Sequence, residues 1–314
     1  RALRDGFLLS LAGKTSRYFA EALAAGGDLP PDNHDEDNGW AMRSSPTDMG
    51  MAMSAAVCAA DMGIISENER DRAVAKVLSG IDRAEKFRGC PYNWYDVSGR
   101  PLPPKYVSSV DCGNLLAALI HVMSTGGENA EKAGRLAENM DMSFLFDDNG
   151  LLHIGCDTDK MRLDEGKYDL LASECALSYL VAFATGKCDD KGYRTLSRLA
   201  LSGAGRTLAS WTGGAFEYML PLLYFRAPER SLLSVSATGA VRMQRKYAAY
   251  CRSPLWGASE SLYGEKYSNG DSKYKAFGAP SAALSMCGDR AVFAPYASVM
   301  CAGVKRKYAG ELRR

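Results

Sequence analysis

Two glutamates have surroundings suited to acid–base chemistry. Glu174 closes the stretch Tyr168-Asp169-Leu170-Leu171-Ala172-Ser173-Glu174 and runs into Cys175-Ala176-Leu177, then Tyr179-Leu180-Val181, inside an expected helix. A carboxylate in so apolar a segment is partly desolvated, and burial favours its protonated form, as a general acid near neutral pH requires. Glu260 lies among small residues in Trp256-Gly257-Ala258-Ser259-Glu260-Ser261, where glycine lets the backbone approach a ligand. Two carboxylates facing one bond are the equipment of glycoside cleavage: one protonates the leaving oxygen while the other attacks or activates water. Glu217 follows Ser210-Trp211-Thr212-Gly213-Gly214 in the first turn of another expected helix, where the dipole stabilises its ionised form. A structural N-terminal carboxylate and a functional one fit that position equally.

Other chemistries fit poorly. His34, His121 and His153 are isolated, and no HExxH or CxxC occurs, so no metal is expected. Gly203-Ala204-Gly205 lacks the third glycine of a dinucleotide fingerprint, and there is no phosphate-binding GxxxxGK[ST], so no cofactor is expected either. The acidic run 32–39 fails the EF-hand register and reads as a solvated loop. Gly257 to Ser261 misses the GxSxG elbow. Asp147-Asp148 lacks the rest of a terpene-cyclase aspartate motif. Lys and Arg number 38 against 37 Asp and Glu, which gives no field to recruit nucleic acid and suits a neutral ligand. No run of about 18 apolar residues is present to insert into a membrane. The nine cysteines are scattered and read as buried thiols of a reducing compartment.

These residues must be held by helices. Apolar positions recur at i, i+3, i+4 and i+7 in most segments, predicting helices over 3–25, 46–62, 67–87, 109–125, 128–146, 168–185, 190–202, 215–226, 231–251, 280–287 and 294–310. Ser45-Pro46 and Ser66 with Glu69 mark two helix starts. The segment 150–156 reads as one strand of a small hairpin. Long connections (26–45, 88–108, 147–167, 203–214, 252–279) alternate with short ones (63–66, 126–127, 186–189, 227–230), so helices pair as hairpins with the long loops at one end. An all-α (α/α)6 toroid over residues 1–314, a single domain, explains the alternation better than a solenoid, whose repeats would show internal similarity. Eleven helices fall one short of six hairpins. The chain, opening on Arg1, reads as a piece of a larger protein with the last helices of the barrel lacking.

The long loops carry Asp, Asn or Arg for hydroxyls, and all but 147–167 carry aromatics for stacking on sugar faces. Here the chain resembles the glucoamylase-like domain of bacterial cyclic β-1,2-glucan synthases. The likeness rests on LPPDN (29–33), RSSPTD (43–48), FRG (87–89) with YNWYD (92–96), YVSSVDCGNL (106–115), GLLHIG (150–155), YDLLASE (168–174), SWTGGAFEYMLP (210–221), WGASES (256–261) and APYAS (294–298). The family more often has Thr at Ser44, Asn at Asp48 and Ser at Cys112.

That resemblance implies an (α/α)6 barrel that closes linear β-1,2-glucan into rings by transglycosylation; related barrels hydrolyse the polymer. It implies Glu260 as nucleophile and Glu174 as acid/base. Asp32, Arg43, Trp94, Asp96, Asp111, Trp211, Glu217 and Trp256 would line the glucan groove. It also implies β-glucan and the other domains of a parent synthase as partners, on the cytoplasmic side of a membrane-anchored protein. A hydrolase and a non-catalytic glucan-binding module are the alternatives.

Overall fold

The computed structural model describes residues 6–201, 207–268, 272–285, 290–304 and 306–313. Gly203-Ala204-Gly205, Cys287 and the ends of the helices expected over 190–202 and 280–287 lie outside them. About half of the chain is helical. The helices are α1 (Gly6–Ala25), α2 (Pro46–Asp61), α3 (Glu67–Arg83), α4 (Ser109–Met123), α5 (Gly127–Asn139), α6 (Cys175–Ala184), α7 (Lys191–Thr195), α8 (Ala215–Met219), α9 (Pro221–Tyr224), α10 (Leu232–Tyr250) and α11 (Pro295–Val304). The chain divides into two compact units, one of residues 1–167 and 178–190, the other of 168–177 and 191–314.

In the first unit α2 packs on α1, α3 and α4, while α5 packs on α3 and α4. The short connections therefore join packed partners, α2 with α3 and α4 with α5, as the loop lengths predict. Met49, Met53, Val77, Leu78, Leu115, Leu116 and Leu119 are wholly buried between them. The expected starts are real: Ser45 and Ser66 each accept from the backbone of the residue three on, and Asp48 and Glu69 each return to the cap N–H. Gly113 on α4 lies against Ser178, where an added Cβ would meet Oγ at 2.0 Å and Cα at 2.8 Å.

In the second unit α10 is the central helix, with α8 and α11 packed on it. Its buried face comprises Ala237, Ala240, Val241, Gln244 and Ala248, at helical spacing. A hairpin pairs Ser261–Lys266 with Ser272–Lys275, register Leu262 opposite Tyr274.

The long loops are not free of regular structure, which corrects the all-α expectation. Short strands organise them: Gly155–Asp157 pairs with both Tyr106–Ser108 and Arg162–Leu163, Arg43–Ser44 with Tyr95–Asp96, and His34–Asp35 with Gly39–Trp40. Several helices are shorter than their apolar spacing predicts, and each has a cause. The helix of 190–202 stops at Thr195, because the Arg198 guanidinium bonds the carbonyls of Tyr193, Arg194 and Leu196 and releases the chain into the strand Ala200–Leu201. The helix of 215–226 breaks at Leu220, before Pro221, which has no N–H to continue it. Over the described residues 280–285 a 3-10 turn, Pro280–Ala282, stands in place of the expected helix. Among the eight described cysteines, all free, Cys58 is exposed and Cys188 and Cys251 are half-buried, so the reading of buried thiols holds only for the other five.

The Gly113 approach gives a direct test. Replacing Gly113 by Ala is expected to cost about 1–3 kcal/mol, because the added methyl meets the Ser178 backbone as well as a side chain. Chemical denaturation of the purified variant measures it.

Candidate active site

In the second unit, one buried amide organises the loops that carry the carboxylates. Gln244, 1% exposed on α10, donates through Nε2 to the Gly213 carbonyl (2.8 Å) and accepts at Oε1 from the Ala258 N–H (2.7 Å). The Ala215 N–H donates to the Ala258 carbonyl at 2.9 Å, so the loops around 213 and 258 are bonded to each other as well as to α10. Gly213 (φ 69°) and Gly257 (φ 101°) both occupy the left-handed region, and an added Cβ would meet Ala279 O at 2.3 Å and Ser298 N at 2.7 Å respectively.

Glu217, the third residue of α8, is 4% exposed and saturated with donors. Its Oε2 accepts from Ser210 Oγ (2.8 Å), Thr212 Oγ1 (2.8 Å), Thr212 N (3.1 Å) and Gly214 N (3.0 Å). Oε1 accepts from Trp211 N (3.1 Å). Burial pushes its pKa up, while the Ser210, Thr212 and Gly214 donors pull it back. The side chain is thereby committed to shaping the 210–214 loop.

Glu260 is held at both side chain and main chain. The Tyr274 hydroxyl donates to its Oε2. The Tyr296 hydroxyl, from α11, donates to its carbonyl at 2.8 Å and lies 3.0 Å from Ser259 Oγ, which in turn accepts the Phe216 N–H at 2.9 Å. Burial, then the charge of Glu260, raises the Tyr274 phenol.

Glu174 stands one residue before α6 rather than inside a helix. The chain is extended at Lys167–Tyr168, and the Ser173 hydroxyl accepts the Cys175 N–H at 3.4 Å, which starts the helix later than periodicity suggests. The inference of desolvation nevertheless stands. Burial first, then the charges of Glu217 and Glu260, push Glu174 up to about 8, against bonds from its own N–H and from Ser173, whose hydroxyl donates to Oε2 at 3.0 Å. The electrostatic coupling brings Glu174, Glu217 and Glu260 into one neighbourhood. Trp211, in the loop before Glu217, is 39% exposed, whereas Trp256 is 9% exposed and set against the Tyr308 ring.

The first unit assembles the other expected residues. Arg43 donates from Nε and Nη2 to Asp32 Oδ2 (3.1 and 2.9 Å), and its guanidinium lies 4.3 Å from the Trp94 ring centre. Asp111 accepts from Thr47 Oγ1 (2.6 Å) and Asn93 Nδ2 (3.0 Å); burial raises its pKa against the Ser108 and Thr47 bonds. Asp48, absent from the expected site residues, belongs to this group: burial and the Asp32 charge push it well up, against bonds from Ser45. Asp96 serves its own turn, accepting from Ser98 N and Oγ and from Arg100 N. Despite some burial, those bonds hold it below the usual carboxylate range. Gln244 too was missed, although a lone amide at i+3, i+4 and i+7 from Val241, Ala240 and Ala237 was a legible signal. Among the described residues no group of three or more His, Cys, Asp or Glu is arranged to hold a metal ion, and no helix is long and apolar enough to cross a membrane.

No family model matches the chain. It is 26% identical over 429 aligned residues to the cyclic β-(1,2)-glucan synthase NdvB of Rhizobium meliloti (strain 1021), a match covering 92% of this chain and 15% of that protein. The resemblance read from the motifs is thus borne out over nearly the whole chain, which spans only about 15% of its relative's length. The fold is that of glucoamylase-like proteins. An endo-β-1,2-glucanase from Chitinophaga pinensis, solved with sophorotriose and glucose, matches with TM-score 0.76 and 14% identity, over 99% of this chain and 82% of that one. A β-1,2-glucanase from Parabacteroides distasonis matches with TM-score 0.78 and 14% identity, over 99% and 50%. A putative glucoamylase from Bacteroides caccae matches with TM-score 0.78 and 16% identity, over 98% and 82%.

Two measurements check the site's electrostatics. Removing the Glu217 carboxylate strands several buried donors, so E217A is expected to lose at least about 2 kcal/mol of stability in denaturant titration. Glu174, whose folded pKa lies above its unfolded value, binds more protons in the folded state. Its contribution is therefore present at low pH and is lost as pH rises from the ordinary 4.5 to about 8. Wild-type stability minus that of E174Q is expected to fall across this window and level off above it.

Proposed function

We propose that this chain is the glucoamylase-like domain of a larger β-1,2-glucan-processing protein, and that it closes linear β-1,2-glucan into rings by transglycosylation. The observation that carries the reading is Glu174, kept protonated up to about pH 8 in the neighbourhood of Glu260. Glu174 protonates the leaving glycosidic oxygen, directly or through a substrate hydroxyl, while Glu260 attacks the anomeric carbon. A sugar hydroxyl of the same chain then replaces Glu260, returning its proton to Glu174. The name of the bacterial synthase relative supports β-1,2-glucan as substrate. Hydrolysis is the second reading, favoured by the endo-β-1,2-glucanases that share the fold, since water takes the place of the sugar hydroxyl without any change of carboxylates.

The residues proposed to bind glucan are Asp32, Arg43, Trp94, Asp96 and Asp111 in the first unit and Trp211, Glu217 and Trp256 in the second. Glu217 acts there by shaping its loop, and Trp256 by anchoring its own loop against the Tyr308 ring. Helical hairpins and the glucoamylase-like neighbours support an (α/α)6 toroid. The reading keeps residues 1–314 as one domain, supported by neighbours of the same fold that match 98–99% of the chain. Its partners are then β-glucan and the other domains of a membrane-anchored synthase, on the cytoplasmic side.

The test uses the full-length protein and linear β-1,2-glucan. Products lighter than the matching linear chain by one water are expected; shorter linear chains alone would defeat cyclisation in favour of hydrolysis. E174Q is expected to slow turnover by about 10²–10⁴-fold, and E260Q by roughly 10³-fold or more, with glucan binding retained in both. An unchanged rate in E260Q would remove Glu260 from the chemistry. Because Glu174 acts as an acid, activity is expected to decline as pH rises through about 8.

A further inference from the structure

We infer that Tyr274 is a positioning residue for Glu260, fixing the rotation of its carboxylate and favouring the ionised form that attacks carbon. The inference rests on the reading of Glu260 as the nucleophile.

The hairpin register supplies the geometry. Tyr274 lies directly opposite Leu262, and Lys275 opposite Ser261. Side chains two apart along a strand share a face, so Glu260, immediately before the strand, is the diagonal same-face neighbour of Tyr274. A diagonal of that kind is within reach of a tyrosine, and its hydroxyl does donate to Glu260 Oε2. A hydroxyl donor on a carboxylate stabilises the charged form and limits rotation of the group. The phenol is itself pushed up by burial and by the Glu260 charge, so it keeps its proton throughout.

The main chain beneath the carboxylate is fixed independently. Tyr296 has one hydrogen, and the Glu260 carbonyl, which cannot donate, takes it at 2.8 Å. The Ser259 hydroxyl must then donate to Tyr296 Oη across their 3.0 Å contact while its lone pair receives the Phe216 N–H. The chain of bonds runs from α8 through Ser259 and Tyr296 to the peptide of Glu260. That leaves Tyr274 to control the side chain.

Among the described residues, titratable groups that face Glu260 include Glu174, whose carboxylate it couples to, Tyr274 from the hairpin and Tyr296 from α11. Elsewhere on the hairpin Glu265 is paired with Lys273 (3.3 Å) and Arg290 (2.6 Å). In the chemical step the new bond joins a Glu260 oxygen to the anomeric carbon as the glycosidic C–O bond breaks, and the leaving oxygen takes the Glu174 proton. On transfer an incoming hydroxyl gives its proton to Glu174, and the ester bond returns its electron pair to Glu260. Tyr274 gains and loses nothing, but its partner is charged before and after the ester and neutral within it. The hydrogen bond therefore favours release of the glycosyl group as well as alignment for attack.

The experiment compares Y274F with E260Q in the full-length protein, using linear β-1,2-glucan as substrate. Phe removes only the hydroxyl from a half-exposed ring, and thermal melting confirms that the variant is folded. The expected result is a fall in kcat of about 10–100-fold, the scale of one hydrogen bond to a charged group, with KM little changed. The acid limb of the pH profile is expected to move to higher pH, while the alkaline limb set by Glu174 stays. If E260Q is inactive but Y274F keeps wild-type kcat and acid limb, the positioning role falls and the nucleophile stands. A rise in KM at constant kcat would make Tyr274 a substrate contact and overturn the inference. Full activity in E260Q would remove the nucleophile reading and this inference together.

Discussion

Three glutamates in one neighbourhood, Glu217 buried and Glu174 and Glu260 partly so, set the terms for the second unit. In a low-dielectric region like charges repel strongly and each ionised group also forfeits hydration, so three equivalent carboxylates would not all stay charged. The conflict is resolved by making the three different. Glu217 receives hydroxyl and amide donors from the 210–214 loop, which take the place of water. Glu260 receives a phenol. Glu174, with Ser173 and its own N–H against burial and two neighbouring charges, is the one that keeps a proton. Identical side chains thus come to differ through the donors and charges around them.

Such differences persist only if the backbone cannot relax, and the loops are built accordingly. Gly213, Gly257 and Gly278 stand where a Cβ would collide with backbone atoms, so these segments touch at main-chain distance. Gln244 then fixes the 213 and 258 loops to a helix whose neighbouring buried positions are apolar. One amide with both its donor and its acceptor engaged is well suited to this, since either loop shifting would strand a buried polar group. The site is held by main-chain bonds to a rigid helix, with the chemistry placed on top.

The sequence made much of this legible. The caps at Ser45 and Ser66, the helices of the first unit, the hairpin-length turns and the acid character of Glu174 follow from local pattern and composition. What local pattern missed was made by long-range bonds. Arg198 ends a helix by reaching back to three carbonyls, and a strand run into Tyr168 delays α6 until after Glu174. The short strands of the loops are too brief to leave a period-2 signal, since most have only two or three residues. Tyr274 was visible only as one more aromatic of the 252–279 loop; its partnership with Glu260 appears once the register is known. The bond specificity came from resemblance, because nothing in residue types distinguishes a β-1,2 linkage from another.

The first unit also gathers acidic groups, Asp32, Asp48 and Asp111, yet its chemistry differs in kind. Asp32 is neutralised by Arg43, Asp48 is spent on the N-terminus of α2, and Asp111 is divided between Thr47 and Asn93. Asp48 and Asp111 are raised by burial as Glu174 is, but each has side-chain donors of its own and their cluster includes a cation. What this cluster does offer is a guanidinium lying over an indole, with Asp32 and Asn33 bonded beside it: a flat face edged by donors and acceptors. A sugar ring presents the complementary surface, apolar C–H on its faces and hydroxyls around its rim. The two clusters thus differ in what surrounds their carboxylates: a cation with hydroxyl and amide donors in the first unit, and two further glutamates around Glu174 in the second.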